Sequence, residues 1–133
     1  MATDVLRQFF AEASGAMDQL SVQVHALAER FRRHEMGDAH SGLAAVTNEL
    51  RQFVLMVDVL CGPLAIDPER LRVGGRSLDE QMTTLARHLE ALIDAQGHED
   101  WLTVADILEL DLDPLLTGWG PRLRELGAEA CAA

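Results

Sequence analysis

A chain of 133 residues with a formal charge of −11 is sized for one domain around a single core. The sign of its charge makes nucleic acid and anionic lipid surfaces poor partners. Few β-branched residues, no tyrosine and abundant Leu and Ala favour helix over strand.

The first helix is expected from about Asp4 to about His34, with Thr3 as its cap. Leu6, Phe9, Ala13, Ala16, Leu20, Val24, Leu27 and Phe31 step by three or four along it, the spacing of one helical stripe. Gly15 weakens it by up to about 1 kcal/mol relative to Ala. Arg30, Arg32 and Arg33 sit in its last turn, where cations suit the negative end of the dipole. A phosphate site on this arginine cluster is the sharper alternative.

Met36-Gly37-Asp38 ends that helix and opens a second, with Asp38 or Ser41 as N-cap. Leu43, Val46, Leu50, Phe53, Val57 and Leu60 or Cys61 form its stripe. From Phe53 to Cys61 it is apolar almost all round, as in a helix that is central or covered by another chain. Val54, Leu55 and Val59 are therefore the candidate oligomer contact. Asp58 is out of place in this run and should face water, cap a neighbour or pair with an arginine. Gly62-Pro63 stops the helix.

Asp67-Pro68-Glu69 is a cap with a first-turn proline, so one helical turn to about Arg72 is expected. Val73-Gly74-Gly75-Arg76 reads as a loop, and its double glycine lacks the Lys-Ser/Thr of a phosphate-binding loop. Ser77 and Glu80 make a capping box for a third helix with Leu78, Met82, Leu85, Leu89, Leu92 and Ala95 or Gln96 inward. Gly97 closes it. The fourth helix, Asp100 to Trp119, buries Trp101, Ala105, Leu108, Leu112, Leu115 and Trp119, with Leu102, Val104 and Leu116 widening the stripe. The two tryptophans read as core anchors. Pro114 should kink or break this helix, with Asp113 capping a restart. Gly118, Gly120 and Pro121 disfavour continuation, residues 122–126 could form a short last helix, and a loose tail is expected after about residue 127. The first and third helices each end near a glycine followed by an acidic cap, so the chain reads as two helical hairpins of one plan.

The predicted architecture is all-α: an antiparallel four-helix bundle with short extra helical turns, one domain over residues 1–133. The longest apolar stretch, Phe53 to Ile66, is broken by Asp58, Gly62 and Pro63 and is too short to span a bilayer. No leader-like apolar run precedes the first helix, so a cytoplasmic protein without a membrane partner is expected. Cys61 is expected as a buried thiol and Cys131 in the tail; together they make no CxxC or metal spacing.

At Asp100, Trp101, Ala105, Asp106, Leu108 and Glu109, then Pro114, Leu115 and Leu116, the chain resembles a group of small, uncharacterised bacterial helical proteins. Their C-terminal halves carry a DWxxxADxLE segment and then an acidic helix with Pro before Leu-Leu. The resemblance covers the last third of the chain, implies a bundle and supplies no activity. It departs after Leu116, where Gly118 and Gly120 replace good helix formers.

No catalytic constellation is found. There is no Glu-x-x-His of a di-iron bundle, no Gly-x-Ser-x-Gly and no zinc-protease spacing. The five histidines read as surface or helix-end residues, so no metal or cofactor is expected. The strongest chemical candidate is the carboxylate face Asp106, Glu109 and Asp113, which could converge on Mg²⁺ as in a small phosphohydrolase-like helical enzyme. From His88 to Pro121 there is no Lys or Arg, while Glu90, Asp94, Glu99, Asp100, Asp106, Glu109, Asp111 and Asp113 are acidic. Either Arg7, Arg30, Arg51 or Arg87 answers them from neighbouring helices, or a basic protein partner does. The leading reading is a non-catalytic helical protein–protein interaction module, self-associating through its second helix. The alternatives are the Mg-dependent enzyme and an export-chaperone-like bundle that receives an amphipathic helix.

Overall fold

The three-four spacing of the first segment folds into one long helix, α1 (Ala2–Arg32). The computed structural model describes residues 2–61, 67, 69–73 and 75–132. Four helices make the bundle among these residues: α1, α2 (Met36–Cys61), α3 (Leu78–Gly97), and a last long helix. The last helix is composite, with α4 (Trp101–Asp106), a π-helical segment (Ile107–Leu112) and α5 (Asp113–Ala132) in sequence. The side chains of Leu6, Leu60, Cys61 and Cys131, and the residues Gly62, Pro63, Pro68 and Gly74, lie outside the described part.

α2 and every segment of the last helix lie against α1, while α3 packs on α4 and the π segment. The buried stripe of α1 is Phe10, Ala13, Met17, Leu20, Val24, Leu27 and Phe31, alternating steps of three and four. The sequence admits Phe9 and Ala16 equally well, but these are only half-buried. Met17, larger than its neighbour Ala16, fills more of the core, and burial scales with apolar area; Phe9 and Phe10 are equal in size, and packing alone puts Phe10 inside. The last helix runs against α1 in the opposite direction. Ser14 meets Gly120, Ser21 meets Asp113 and Arg32 meets Asp106. At the crossing, a Cβ on Gly120 would come within 2.7 Å of an Asp18 carboxylate oxygen. The absent side chain leaves that room to the Asp18 carboxylate, and the Ser14 hydroxyl donates to the Gly120 carbonyl at 2.8 Å.

Neither hairpin turn uses the glycine that marks it in the sequence. Between α1 and α2 the left-handed residue is His34 (φ 59°), and between α3 and α4 it is Glu99 (φ 54°). Both turns close alike: Glu35 N–H donates to the Arg30 carbonyl at 2.9 Å and Asp100 N–H to the Ala95 carbonyl at 2.9 Å. These long backbone bonds satisfy carbonyls that a helix end leaves open. The two-hairpin plan thus holds in its turns. Asp38 and Ser41 lie inside α2 rather than ahead of it. Asp100 does cap α4, accepting from Thr103 N–H at 3.2 Å and from the Thr103 hydroxyl at 2.7 Å.

The segment from Asp67 makes the expected single turn. The Asp67 carboxylate accepts from Glu69 N–H at 3.0 Å, and its carbonyl accepts from Arg70 and Leu71 at 3.1 and 3.0 Å. The following stretch is not an open loop. β1 (Arg72–Val73) pairs antiparallel with β2 (Arg76–Ser77), with Gly75 at φ +84° in the turn. Gly-Gly between two extended residues is a tight-hairpin signal. Arg122 ties this ribbon to α5 through Nε and the Arg72 carbonyl, 2.8 Å apart. Ser77 then caps α3 as its capping box predicts, its hydroxyl accepting from Glu80 N–H at 3.1 Å.

The last helix departs most from expectation. Pro114 neither breaks it nor starts a new one. The wider turns of the π segment come just before it, with Asp113 N–H bonded to the Leu108 carbonyl five residues back, so the turn that Pro114 would crowd is already opened. One buried row runs Val104, Leu108, Leu112, Leu116, Trp119 and Leu123, with Ala105 and Ile107 buried beside it. Three successive steps of four drift off the face of an α-helix, and wider turns hold them on one side. Leu115 is accordingly only half-buried and Leu102 is exposed. The backbone stays helical past Gly118, Gly120 and Pro121 to Ala132, in place of the break and loose tail expected there.

Trp119 anchors the core at one end. It is buried, its Nε1 donates to Gln81 Oε1 at 3.2 Å, and its ring lies 5.7 Å from Phe53. Gln81 is a buried polar residue in the stripe of α3, a role that the apolar pattern does not reveal. Trp101 stacks on Phe31 at 5.6 Å, with His40 edge-on to it at 4.9 Å. His40 is therefore half-buried in an aromatic cluster rather than a surface histidine.

Candidate interaction surface

Two surfaces stand out in the sequence, and the structure treats them differently. On the acidic face, Arg32 Nη2 lies 2.9 Å from Asp106 Oδ1 and 3.0 Å from Glu109 Oε2, and its Nε lies 3.2 Å from the same Glu109 oxygen. These hydrogen bonds, Asp106 first and Glu109 second, hold the guanidinium even more firmly in its charged form. Asp113 is directed elsewhere: its carboxylate accepts from the Ser21 hydroxyl and from Thr117 Oγ1. Asp106 and Glu109 are thus answered within the chain, by Arg32, whose position had suggested dipole pairing or a phosphate site, and, among the described residues, by none of Arg7, Arg30, Arg51 and Arg87. Among the described residues no three His, Cys, Asp or Glu side chains come together closely enough to hold a metal ion. In this arrangement Asp113 does not converge with Asp106 and Glu109 as their spacing allowed. Of the arginine cluster, Arg32 is taken up by Asp106 and Glu109, and Arg30 shares its hollow with Glu35 and Asp38, whose charges oppose an anion.

The charged groups at the turn between α3 and α4 are locally held. Hydrogen bonds from the Thr103 hydroxyl and N–H hold the Asp100 carboxyl below its ordinary range. The hydrogen bond between His98 and the Asp94 carbonyl, aided by the Asp94 carboxylate, raises the imidazole above its ordinary value.

The second surface is the outer half of α2. Its first half is fixed by Ala39, Leu43, Val46 and Leu50, all buried. Beyond Leu50 the inward positions Phe53, Val54 and Val57 are only half-buried. Leu55 and Val59 are each 65% exposed and Met56 48%. Asp58 faces water in the same stretch, one of the resolutions open to it. Grooves run along both sides. Between α2 and α3, Val54, Leu55, Ala86, Leu89 and Ile93 line a hollow of about 400 Å³ with Arg51 and Glu90 on its walls. Between α1 and α2, a hollow of about 370 Å³ includes Phe9, Ala16, Phe53 and Met56, with Glu12 and Glu49 beside them. Val54, Leu55 and Val59 thus share an uncovered apolar helix flanked by two grooves.

Among the described residues, no helix is long and apolar enough to cross a membrane. No protein-family model, curated protein or solved structure matches the chain. What fold and surface define is a class: an acidic all-α four-helix bundle that leaves one helix face open.

Proposed function

We propose that the chain is a non-catalytic protein–protein interaction module that works as a homodimer, with the outer half of α2 as its contact. The observation that carries this reading is the exposure of Leu55, Met56 and Val59 together on α2. Single exposed apolar residues are ordinary on a protein surface, whereas a contiguous group beside a groove marks an interaction site. Large apolar side chains left in water there would gain on the order of 25 cal/mol per Å² of apolar surface buried by a mate. Light scattering of the wild type at micromolar concentration should report a dimer. Val54→Glu with Leu55→Glu should shift it to monomer while far-UV circular dichroism stays helical; a dimer untouched by both charges would remove α2 from the contact.

A second reading has its own observation. The α1–α2 groove sets Glu12 and Glu49 beside an apolar floor, the arrangement that would receive an amphipathic helix with basic flanks, as a helix-binding chaperone does. A basic amphipathic peptide that saturates the protein and is weakened by Glu12→Gln with Glu49→Gln would favour it.

A further inference from the structure

The α2–α3 groove carries one charge of each sign on opposite walls. Arg51 comes from α2 and Glu90 from α3, both exposed, with the apolar side chains of Val54, Leu55, Leu89 and Ile93 in the same hollow. Neither Arg51 nor Glu90 makes an ion pair or side-chain hydrogen bond among the described residues. Their placement constrains what can seat in the groove. A basic helix would meet Arg51 and an acidic one Glu90, so a partner of single sign is opposed on one wall. A two-fold axis through the groove solves this. It carries α2 of one copy over α3 of the other, so each Arg51 faces the other copy's Glu90 and both pairs form at once. In such an isologous contact each surface is its own complement.

We infer that the mate of this groove is a second copy of the chain, docked groove to groove about a two-fold axis and registered by two reciprocal Arg51–Glu90 pairs. This rests on the self-association reading and adds its geometry. The apolar side chains supply the affinity, and the charged pairs set orientation and partner choice. The pairs also matter because each copy carries −11. Two such bodies repel at long range, and that repulsion is screened by salt over a Debye length of about 8–10 Å, so only local complementarity favours this one face.

The test is a charge swap. Arg51→Glu and Glu90→Arg are made singly and together, with Arg33→Glu, in the turn after α1, as a control for net charge. Circular dichroism first establishes that all four keep their helix content. Each single variant should dimerise about tenfold or more weakly than wild type, because like charges then oppose each other twice. The double variant should return to within about threefold of wild type, and Arg33→Glu should dimerise as wild type does. Mixing the two single variants is the decisive arm: one copy then presents two carboxylates and the other two guanidiniums. Native mass spectrometry should find the heterodimer in preference to either homodimer. A wild-type dimer broken by Val54→Glu with Leu55→Glu but indifferent to both reversals would overturn the two-fold geometry and leave the interaction module standing. Single variants that stay monomeric when mixed would also overturn it. A wild type that never dimerises would take down self-association itself.

Discussion

Removing one residue from the last helix tests whether packing on α1 requires its π segment. Leu110 is the residue to delete, since it is 64% exposed and little burial goes with it. Asp113 N–H now bonds to the Leu108 carbonyl five residues back; without Leu110 the same two groups are four apart, the α-helical spacing. The buried residues Leu108, Leu112, Leu116, Trp119 and Leu123 would then follow steps of three, four, three and four, so an ordinary α-helix buries the same side chains. Contacts on α1 from Ser21–Asp113 to Ser14–Gly120 keep their register. Pro114 must be replaced by Ala in both the deletion and its reference, because in an α-turn its ring would crowd the Glu109 carbonyl at about 3 kcal/mol. The contrast is deletion of Val22 in α1, 71% exposed but in a regular helix. That deletion turns Val24, Leu27 and Phe31 away from the core by about 100°. At about 1.5–3 kcal/mol for each large side chain, the loss reaches the scale of a domain's whole stability, about 5–15 kcal/mol. Urea unfolding at fixed protein concentration should give the Leu110 deletion a cooperative transition within about 1.5 kcal/mol of the Pro114→Ala reference, and the Val22 deletion none. A Leu110 deletion as damaging as that of Val22 would refute the argument from register.

Three further outcomes follow from the contacts described. Gln81→Leu should cost about 1–3 kcal/mol by leaving the buried Trp119 N–H without its acceptor, and the cycle with Trp119→Phe should show coupling of about 1 kcal/mol in denaturant midpoints. The Asp100 and His98 shifts bracket stability in pH. Asp100, lowered on folding, stabilises above the ordinary carboxylate range and loses that effect as pH falls through its folded value; His98, raised on folding, stabilises below about pH 6.5 and loses it as pH rises through its folded value. Thermal melts across pH should show Asp100→Ala flattening the acid side and His98→Gln the neutral-to-basic side, and unchanged slopes would dissociate these groups from the turn. Arg32→Ala should speed hydrogen exchange in residues 107–112 more than in α3, because it releases Asp106 and Glu109 together; uniform exchange would show that Arg32 does not hold that segment.

What could be read ahead of the structure is what local chemistry decides. The Ser77–Glu80 box and the spacing of Leu85, Leu89 and Leu92 place α3 with little ambiguity, since both cap and stripe are carried within a few residues. The apolar run after Phe53 likewise announces an uncovered face, because no single stripe can hide Val54, Leu55 and Val59 together. Where two neighbours fit equally, as with Phe9 and Phe10, spacing alone cannot choose and the shape of the core does. His34 and Glu99 take left-handed conformations that glycine would adopt more easily, so the nearby Gly37 and Gly97 mark the turns without making them. Pro114 announces a lost hydrogen bond, but whether the chain breaks or widens depends on α1 holding both sides of it. The Arg32 clamp joins residues 74 and 77 positions apart, and no local pattern encodes such a pairing.

If another copy of the chain covers the open face of α2, the mass in solution must depend on concentration. Sedimentation equilibrium of the wild type over a micromolar concentration series addresses it most directly, with Val54→Glu and Leu55→Glu combined as the matched variant. The wild-type mass should rise from one chain to two with concentration, and the variant should keep a single-chain mass throughout. A wild type that remains at the single-chain mass across the series, with its helix content intact, would contradict this self-association.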